Sequence, residues 1–481
     1  MRPIPSILVV LASAGVLACQ RIPARPLAPE RTLAAFEARS LDAPGLAAFL
    51  AAALGRSPAE WPLREWDLRT LTLAALYFHP GLDVVRAHAD VARAAVESAG
   101  ARPNPTLSLA PQLSANPQGA VSPWLAAVHF DWPIETAGKR ARRVERADAA
   151  AAAAREAVIV EAWRIRRQLE SSLVALATAC RQRDALAEEV GLEERVVALL
   201  EHRLRAGSAA ANDVAPGRRA LLQATTERAA AEAQVGDAFA RLAAALGVAA
   251  SALAGVTLPQ GLDASDADAL LSVSPDEARR RALRERADVR QALADYAAAE
   301  ATLRLELARQ YPDLHLGPGY EFDQGQNKWG LSLSLDLPIL DRNQGPIAEA
   351  VAGRAEAAAK FVATQAGVIA EIEQALARRD GERARHERMR ILSADREANL
   401  ARATAAMTFG AVDRVAVLDA EIERRRAARA ATDAEGALAQ ALVDLEAAME
   451  GPLPSVVLDR PLAETTVPEG QRVAHAIGGA T

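Results

Sequence analysis

Aromatic residues are scarce in this chain. Phe, Trp and Tyr make up 4% of its 481 residues, although 51% are hydrophobic. That balance, dominated by Ala and Leu, belongs to long helices rather than to a compact α/β enzyme. Cysteine is nearly absent: two thiols, Cys19 and Cys180, cannot make a disulfide framework. Neither charge sign prevails. The net charge is −6, with 56 basic and 62 acidic residues interspersed, so there is no nucleic-acid footprint. Past the N-terminus no apolar stretch approaches the ~18 residues that a membrane helix needs, which excludes a helical span in the mature chain. Clusters that carry chemistry are missing too. The seven histidines, at 79, 88, 129, 202, 315, 386 and 475, form no local group, so neither a metal nor another cofactor is expected. Gly138-Lys139-Arg140 lacks the glycine five residues earlier that a phosphate loop requires, since position 133 is Pro. His386-Glu387 has no second His at metalloprotease spacing. No enzymatic activity is expected.

What is present starts with a targeting segment. Residues 1–18 read as a signal peptide: one Arg, an apolar run from Ile7, and small residues before a Cys. Val16-Leu17-Ala18-Cys19 resembles a bacterial lipobox, in which the cysteine becomes the lipidated first residue; Gln20 after it favours sorting to the outer membrane. Residues 19–66 form a Pro-rich leader with one or two short helices, which Trp61 and Trp66 are expected to pack against the body. Cys180, alone in helical text, is expected to act as a small packing residue.

The remainder is organised around one transition that occurs twice. Trp124 to Arg155 passes from a nearly uncharged strand, through Pro133, into a long run of Lys, Arg, Glu and Ala. Asp131-Trp132-Pro133-Ile134 returns as Asp336-Leu337-Pro338-Ile339. Landmarks recur at nearly constant offsets: 207 for Pro105/Pro312, 205 for Pro133/Pro338, 203 for Gly207/Gly410 and 204 for Gly247/Gly451. This predicts an internal duplication. The first unit, 67–249, is expected to hold a helix to about residue 101, a hairpin over 103–133, a long helix over 135–204 and a return helix over 212–246. A linker follows over 250–275, whose Asp263, Asp266 and Asp268 lack the turn Gly and terminal Glu of a calcium loop. The second unit, 276–451, opens on Ser274-Pro275, a good helix start. It repeats the order with a hairpin over 311–338, a long helix over 346–408 and a return helix over 411–449, before a tail over 452–481.

Finer patterns set expectations for packing. His79-Pro80 marks a break in the first helix or a short entry turn, and Pro111 makes the first strand irregular or places it at a rim. In the first long helix Leu186, Val190, Val197, Leu200 and Leu204 form a heptad seam that Glu193 interrupts. Leu192, Val196 and Leu199 form a second stripe beside it, so this helix needs neighbours on two sides, as in a wall of helices. From Pro103 to Pro133 the only charged residue is Asp131. Of 18 aromatic residues, seven lie within 103–138 and 311–342, which fits belts at a membrane interface. Four strands cannot close a membrane barrel, because an open edge leaves backbone groups unpaired in lipid. Several chains must contribute.

The sequence PNPTLSL after a helix, DWPIETAGKR at the strand-to-helix change, the two Gly-containing helix tips and the duplication together resemble the TolC-like outer-membrane efflux channels, over roughly residues 67 to 451. The segment Glu135 to Arg140 is most similar to the members paired with heavy-metal pumps of the RND type. The resemblance implies a mostly α fold with a small β part: a homotrimer whose twelve strands make one barrel in outer-membrane lipid, above a tunnel of long helices across the periplasm. It implies a periplasmic adaptor and an inner-membrane pump as partners, and export of solutes, metal cations or drugs, without chemistry of its own. In the family an aspartate pair narrows the tunnel mouth. GAVDRVAVLDAE places Asp419 at the second aspartate; Ala416 stands at the first, and Asp413, one turn earlier, is the substitute candidate. The helix tips, with Leu204, Arg205, Gly207, Thr408, Phe409 and Gly410, correspond to the family's adaptor contacts. A pore-less periplasmic scaffold lipoprotein and a protein-secretion duct are the alternatives.

Overall fold

The structure is a computed structural model that describes residues 23–451 and 453, apart from 59, 116–118, 120 and 260–263 and the side chains of 264–266. The signal segment, Cys19, most of the first hairpin's turn and nearly all of the tail lie outside the described residues. The leader supplies α1 (Pro29–Glu37) and α2 (Pro44–Leu54). The first unit contains α3 (Leu68–Phe78), α4 (Pro80–Gly100), β1 (Thr106–Leu113), β2 (Trp124–Ile134), α5 (Lys139–Arg205) and α6 (Ala211–Leu246). A 3₁₀ turn, Ala250–Leu253, and α7 (Ala264–Ser272) occupy the linker region. The second unit contains α8 (Pro275–Glu285), α9 (Ala287–Ala308), β3 (Leu314–Asp323), β4 (Gln326–Leu335), α10 (Gln344–Thr408) and α11 (Arg414–Met449).

Each start has a local cause. Asp67 and Thr70 form a capping box on α3, Ser274 caps α8, and the Asp413 carboxylate accepts from Ala416 N–H to cap α11. α5 and α10 run 67 and 65 residues without a break. At 1.5 Å per residue each reaches about 100 Å. β1 runs unbroken through Pro111 because it is an edge of the sheet, the rim position that is the alternative to an irregular strand. The sequence reading departs from the structure in two places. The linker is partly helical, because Leu270 of α7 is buried against Val368, Leu376 and Leu442. The opening helix of the second unit is two helices, broken at Arg286.

That break mirrors the one at His79, 207 residues earlier. At both breaks the end of a return helix abuts the start of an opening helix. In the first unit Gly247, with φ 75°, ends α6 against Phe78 and His79; a Cβ there would lie 2.8 Å from the His79 Cα. Arg39 of the leader donates to the carbonyls of Phe78 and Gly247, at 2.7 and 2.6 Å. In the second unit Arg286 donates to the Ala448 carbonyl at 3.1 Å, and the Glu450 carboxylate accepts from Ala287 N–H at 2.8 Å. A guanidinium thus meets the negative end of each return helix. These two splices place α6 in line with α4 and α11 in line with α9. α5 consequently packs on α4 and α9 along its first half and on α6 and α11 along its second. Both predicted stripes find partners: Val196, Val197 and Leu200 lie beside Gly217 of α6, while Leu192 and Val196 cluster with Leu418 and Ile422 of α11. The largest buried cluster surrounds the first splice and takes in Trp66 and much of α2 and α3.

The four strands form one antiparallel sheet in the order β1-β2-β3-β4. Leu107 pairs with Phe130, Leu109 with Val128, Trp132 with Leu316, Tyr320 with Trp329 and Leu316 with Leu333. One face of the sheet is therefore apolar across all four strands. The opposite face carries Ser108, Gln112, His129, Asp131, His315, Ser332 and Ser334, with glycines at 317, 319 and 330.

Burial pushes the Glu450 carboxyl up to about 7, above its ordinary 4.5, against the pull of the Ala287 N–H and of Arg286. The folded chain then holds this proton more tightly than the unfolded one. The favourable contribution is complete below pH 4.5 and is lost as pH rises through 7. Glu450→Gln keeps the acceptor for Ala287 and removes the titration. It should be more stable than the parent by on the order of 2 kcal/mol at pH 8 and indistinguishable from it at pH 4.5, in urea titrations at the two pH values. Equal gaps at both would refute the assignment.

Candidate functional site

The candidate site has three levels: the sheet, the elbow where strand becomes helix, and the far helix tips. At the first level the apolar face lacks cover. Leu107, Leu109, Trp124, Trp132, Leu331 and Leu333 are exposed. Among the described residues no helix packs on the sheet extensively, and none is long and apolar enough to cross a membrane. The strands are 8 to 11 residues long, the length that spans a bilayer when tilted. β1 and β4 are open edges within the chain. Such a sheet is suited to lipid on one face and water on the other once further strands pair with its edges.

The elbow explains the residues Glu135 to Arg140. Glu135 is bonded to Arg143, and Arg143 also donates to the Ala99 and Ala101 carbonyls. Thr136 donates its N–H to the Asp313 carboxylate at 2.9 Å and its hydroxyl to the Pro312 carbonyl at 2.6 Å. Ala137 and Gly138 take left-handed conformations, φ 53° and 69°, which turn the chain into α5. Lys139, buried, meets Asp313 at 2.8 Å, and Arg140 donates to the Gly100 carbonyl at 2.6 Å. The first unit's elbow is therefore locked to the start of β3 in the second unit. On the polar face beside it, His315 Nδ1 lies 3.0 Å from the Asp131 carboxylate.

At the far end both hairpin turns share one design. Gly207 and Gly410 have φ 73° and 71°. Ser208 N–H bonds to the Arg203 carbonyl and Ala411 N–H to the Ala406 carbonyl, the six-to-one bond of a Schellman turn. Leu204 is partly buried, whereas Arg205, Thr408 and Phe409 are exposed, Phe409 by 87%. Asp413 and Asp419 sit close to these tips but differ. Asp413 is the α11 cap and is also held by Arg203 at 2.7 Å; these bonds keep its carboxyl below the ordinary range. Asp419 makes no ion pair or hydrogen bond among the described residues. Asp419 is exposed at the surface, yet crowding that strips part of its water, then Asp413 and Glu423, push its carboxyl above the ordinary range, opposed by Arg426. Arg424 and Arg425 turn instead to Glu397 and Glu188.

Sequence reasoning missed the ion pairing within the seam between α5 and α11. Glu193 does not interrupt the heptad by accident: it is buried and accepts from Arg426 of α11 at 3.0 Å, beside Glu189 at 2.7 Å. A carboxylate in a seam position was itself the signal of a cationic partner. Among the described residues no three His, Cys, Asp or Glu side chains gather in a way that would hold a metal ion.

The model of one family, the outer membrane efflux proteins, matches residues 73–248 and 278–451, the two halves of the duplication. The chain belongs to this family. It is 28% identical over 236 residues to the cobalt-zinc-cadmium resistance protein CzcC of Cupriavidus metallidurans, covering 48% of this chain and 54% of that one. It is 31% identical over 198 residues to nodulation protein T of Rhizobium leguminosarum bv. viciae, covering 38% of this chain and 40% of that one. The chain thus spans about half the length, or less, of the curated relatives it matches. In three dimensions it is similar to the outer membrane protein VceC of Vibrio cholerae, with a TM-score of 0.66 and 22% identity over 80% of this chain and 96% of that one. The fold expected from the sequence, mostly helical with four strands and a duplicated repeat, is the fold of this efflux protein.

The elbow lock makes a prediction for stability. Asp313→Asn leaves the buried Lys139 ammonium without its counter-charge and should cost about 2 kcal/mol, read as a lower midpoint in chemical unfolding. Ser334→Ala, on the exposed polar face of the sheet, should change it by less than about 0.5 kcal/mol. Equal effects would mean that Lys139 and Asp313 do not hold the elbow.

Proposed function

We propose that this efflux protein is the outer-membrane duct of a tripartite export system. One observation carries the reading: a four-stranded sheet with one face apolar on every strand, interrupted only by Asn327 at one end, no cover for that face among the described residues, and two open edges. Three copies would supply twelve strands, pair β4 of each copy with β1 of the next, and present the apolar face to outer-membrane lipid. The same rotation sets α4 and α6 of one copy against α10 of the next, because these helices border the wall as β1 and β4 border the sheet. The result is a closed tunnel that extends through the periplasm, lined by polar residues, through which solutes leave without chemical change.

The tips would meet a periplasmic adaptor coupled to an inner-membrane pump of the RND type. Leu204, Arg205 and Gly207 form one contact, and Thr408, Phe409 and Gly410 the other. An 87% exposed Phe409 in solvent favours such a contact. Asp419 is the residue proposed to narrow the mouth. Its unpaired carboxylate, repeated three times, would concentrate a negative potential where the tunnel is tightest. Asp413 contributes through Arg203, by fixing where α11 starts. Divalent metal cations are the cargo class that the name of the cobalt-zinc-cadmium relative favours. Lipidation of Cys19, after removal of residues 1–18, would add an anchor.

Planar-bilayer recording tests this reading. The purified chain should open stepwise conductances; its failure to conduct would favour a pore-less scaffold. Asp419→Ala should raise single-channel conductance and weaken block by divalent cations, while Asp433→Ala, further along α11, should change neither. Unchanged conductance and block in Asp419→Ala would remove Asp419 from the mouth. Photocrosslinkers at Leu204, Arg205, Thr408 and Phe409 should capture a co-expressed adaptor, and silence at all four would place the contact elsewhere.

A further inference from the structure

The duplication is broken at one place, the second elbow. The landmark offset of 205 aligns Pro133 with Pro338 and Gly138 with Asn343, and both of the latter residues take left-handed conformations one step before a long helix, φ 69° and 61°. The two turns share a backbone plan and differ in chemistry. Where the first elbow has Glu135 bonded to Arg143, the second has Leu340, and the position matching Arg143 is Ala348. Where the first has Thr136 bonded to Asp313, the second has Asp341. Leu340 is 94% exposed, the highest value of any large apolar side chain described, and Leu337 and Ile339 are each 68% exposed.

This apolar knuckle is ordered by its own bonds. Ile339 N–H donates to the Leu337 carbonyl at 2.8 Å across Pro338. Arg342 N–H donates to the Gln344 side chain at 2.7 Å, and Asn343 N–H to the Asp341 carboxylate at 2.8 Å. The Asn343 amide is tied to Glu306 at the end of α9. The bonds satisfy backbone donors that would otherwise need water. The knuckle also continues an existing surface. Leu331, Leu333 and Leu335 lie in one row on the apolar face of β4, and Leu337 follows at the next alternate position. Arg342, exposed and without an ion pair among the described residues, comes directly after it.

We propose that Leu337, Ile339 and Leu340 form an interfacial anchor that sinks into the acyl–headgroup boundary of the periplasmic leaflet, with Arg342 against phospholipid phosphate. The inference rests on the membrane placement of the sheet given above. An apolar wedge followed by a guanidinium matches that boundary, where side chains of both kinds find partners within a few ångströms. The first elbow, whose polar groups are satisfied within the chain, faces the protein instead. The two elbows of each copy would then divide the work: one joins the two units together, and the other sets the depth and tilt of the barrel.

Spin-label accessibility separates the possibilities. The full chain, with Cys180→Ala, carries a nitroxide at Leu340→Cys, and is reconstituted in vesicles of phosphatidylethanolamine and phosphatidylglycerol. Leu333→Cys reports the centre of the apolar face and Asp184→Cys reports water beside α5. The ratio of collision with oxygen to collision with a nickel chelate at position 340 should exceed that at 184 by about threefold or more, and adding Arg342→Glu should bring it back toward water. A ratio at 340 like that at 184 overturns the proposal. So does protection from both reagents, which would mean that a neighbouring copy covers the knuckle. If position 333 is itself poor in oxygen, the membrane placement fails and the anchor fails with it. If 333 is rich and 340 is not, the anchor alone is wrong.

Discussion

A strand that faces hydrocarbon has nowhere to place an unpaired N–H or C=O. In this chain that constraint acts on two edges, β1 and β4, which flank a sheet whose one face is apolar on every strand. Apart from the apolar knuckle after β4, the described helices are compatible with water. The long helices carry charges along their length and bury mainly Ala, Leu and Val where they touch. The chain therefore divides into a minor part that cannot be satisfied alone and a major part that supports it. Copies joined edge to edge, as proposed, would satisfy the minor part, and the major part would then form a wall with the same symmetry.

The splices make that wall possible. Two continuous helices, α5 and α10, run its full height. The intervening columns are each built from two helices, which meet end to end at Gly247 and at Glu450. The first is cemented by a leader arginine, Arg39, and the second by Arg286 and a buried carboxyl. Between α5 and α11 an apolar cluster, Leu192 and Val196 with Leu418 and Ile422, is flanked by charge pairs in which Arg426 and Arg203 reach carboxylates on the partner helix. Charge pairs of this kind fix which residues face each other more than they add stability. They suit a seam that must keep its alignment without becoming a sealed core.

Much of this was legible in the sequence because two periods were clean. Period two in Leu331, Leu333 and Leu335 marked β4, and the spacing of four and three from Leu186 onward marked a helix with neighbours. The constant offset exposed the duplication. Four things stayed hidden, each for a physical reason. Strand register depends on pairing across more than a hundred residues, so the coincidence of Trp132 with Leu316 could not be read from either strand. The break at Arg286 has no proline or glycine to announce it, unlike His79-Pro80; its cause is the distant Glu450. At the elbow the composition of Glu135 to Arg140 stood out, yet its main partner, Asp313, lies in the other unit. Of the residues named for the mouth, the sequence could not distinguish Asp413, occupied as a cap, from Asp419, which is unpaired.

The central claim is that the two sheet edges are completed by other copies of the same chain. Single cysteines on β1 and β4, in a background with Cys180→Ala, test it without reference to transport. Ser108→Cys combined with each of Ser332→Cys and Ser334→Cys samples neighbouring registers on the polar face. Oxidation of the protein in its native membrane should yield covalent dimers and trimers, and nothing larger, for at least one pair. A chain that stays monomeric in every combination, while its sheet remains folded, would contradict the account.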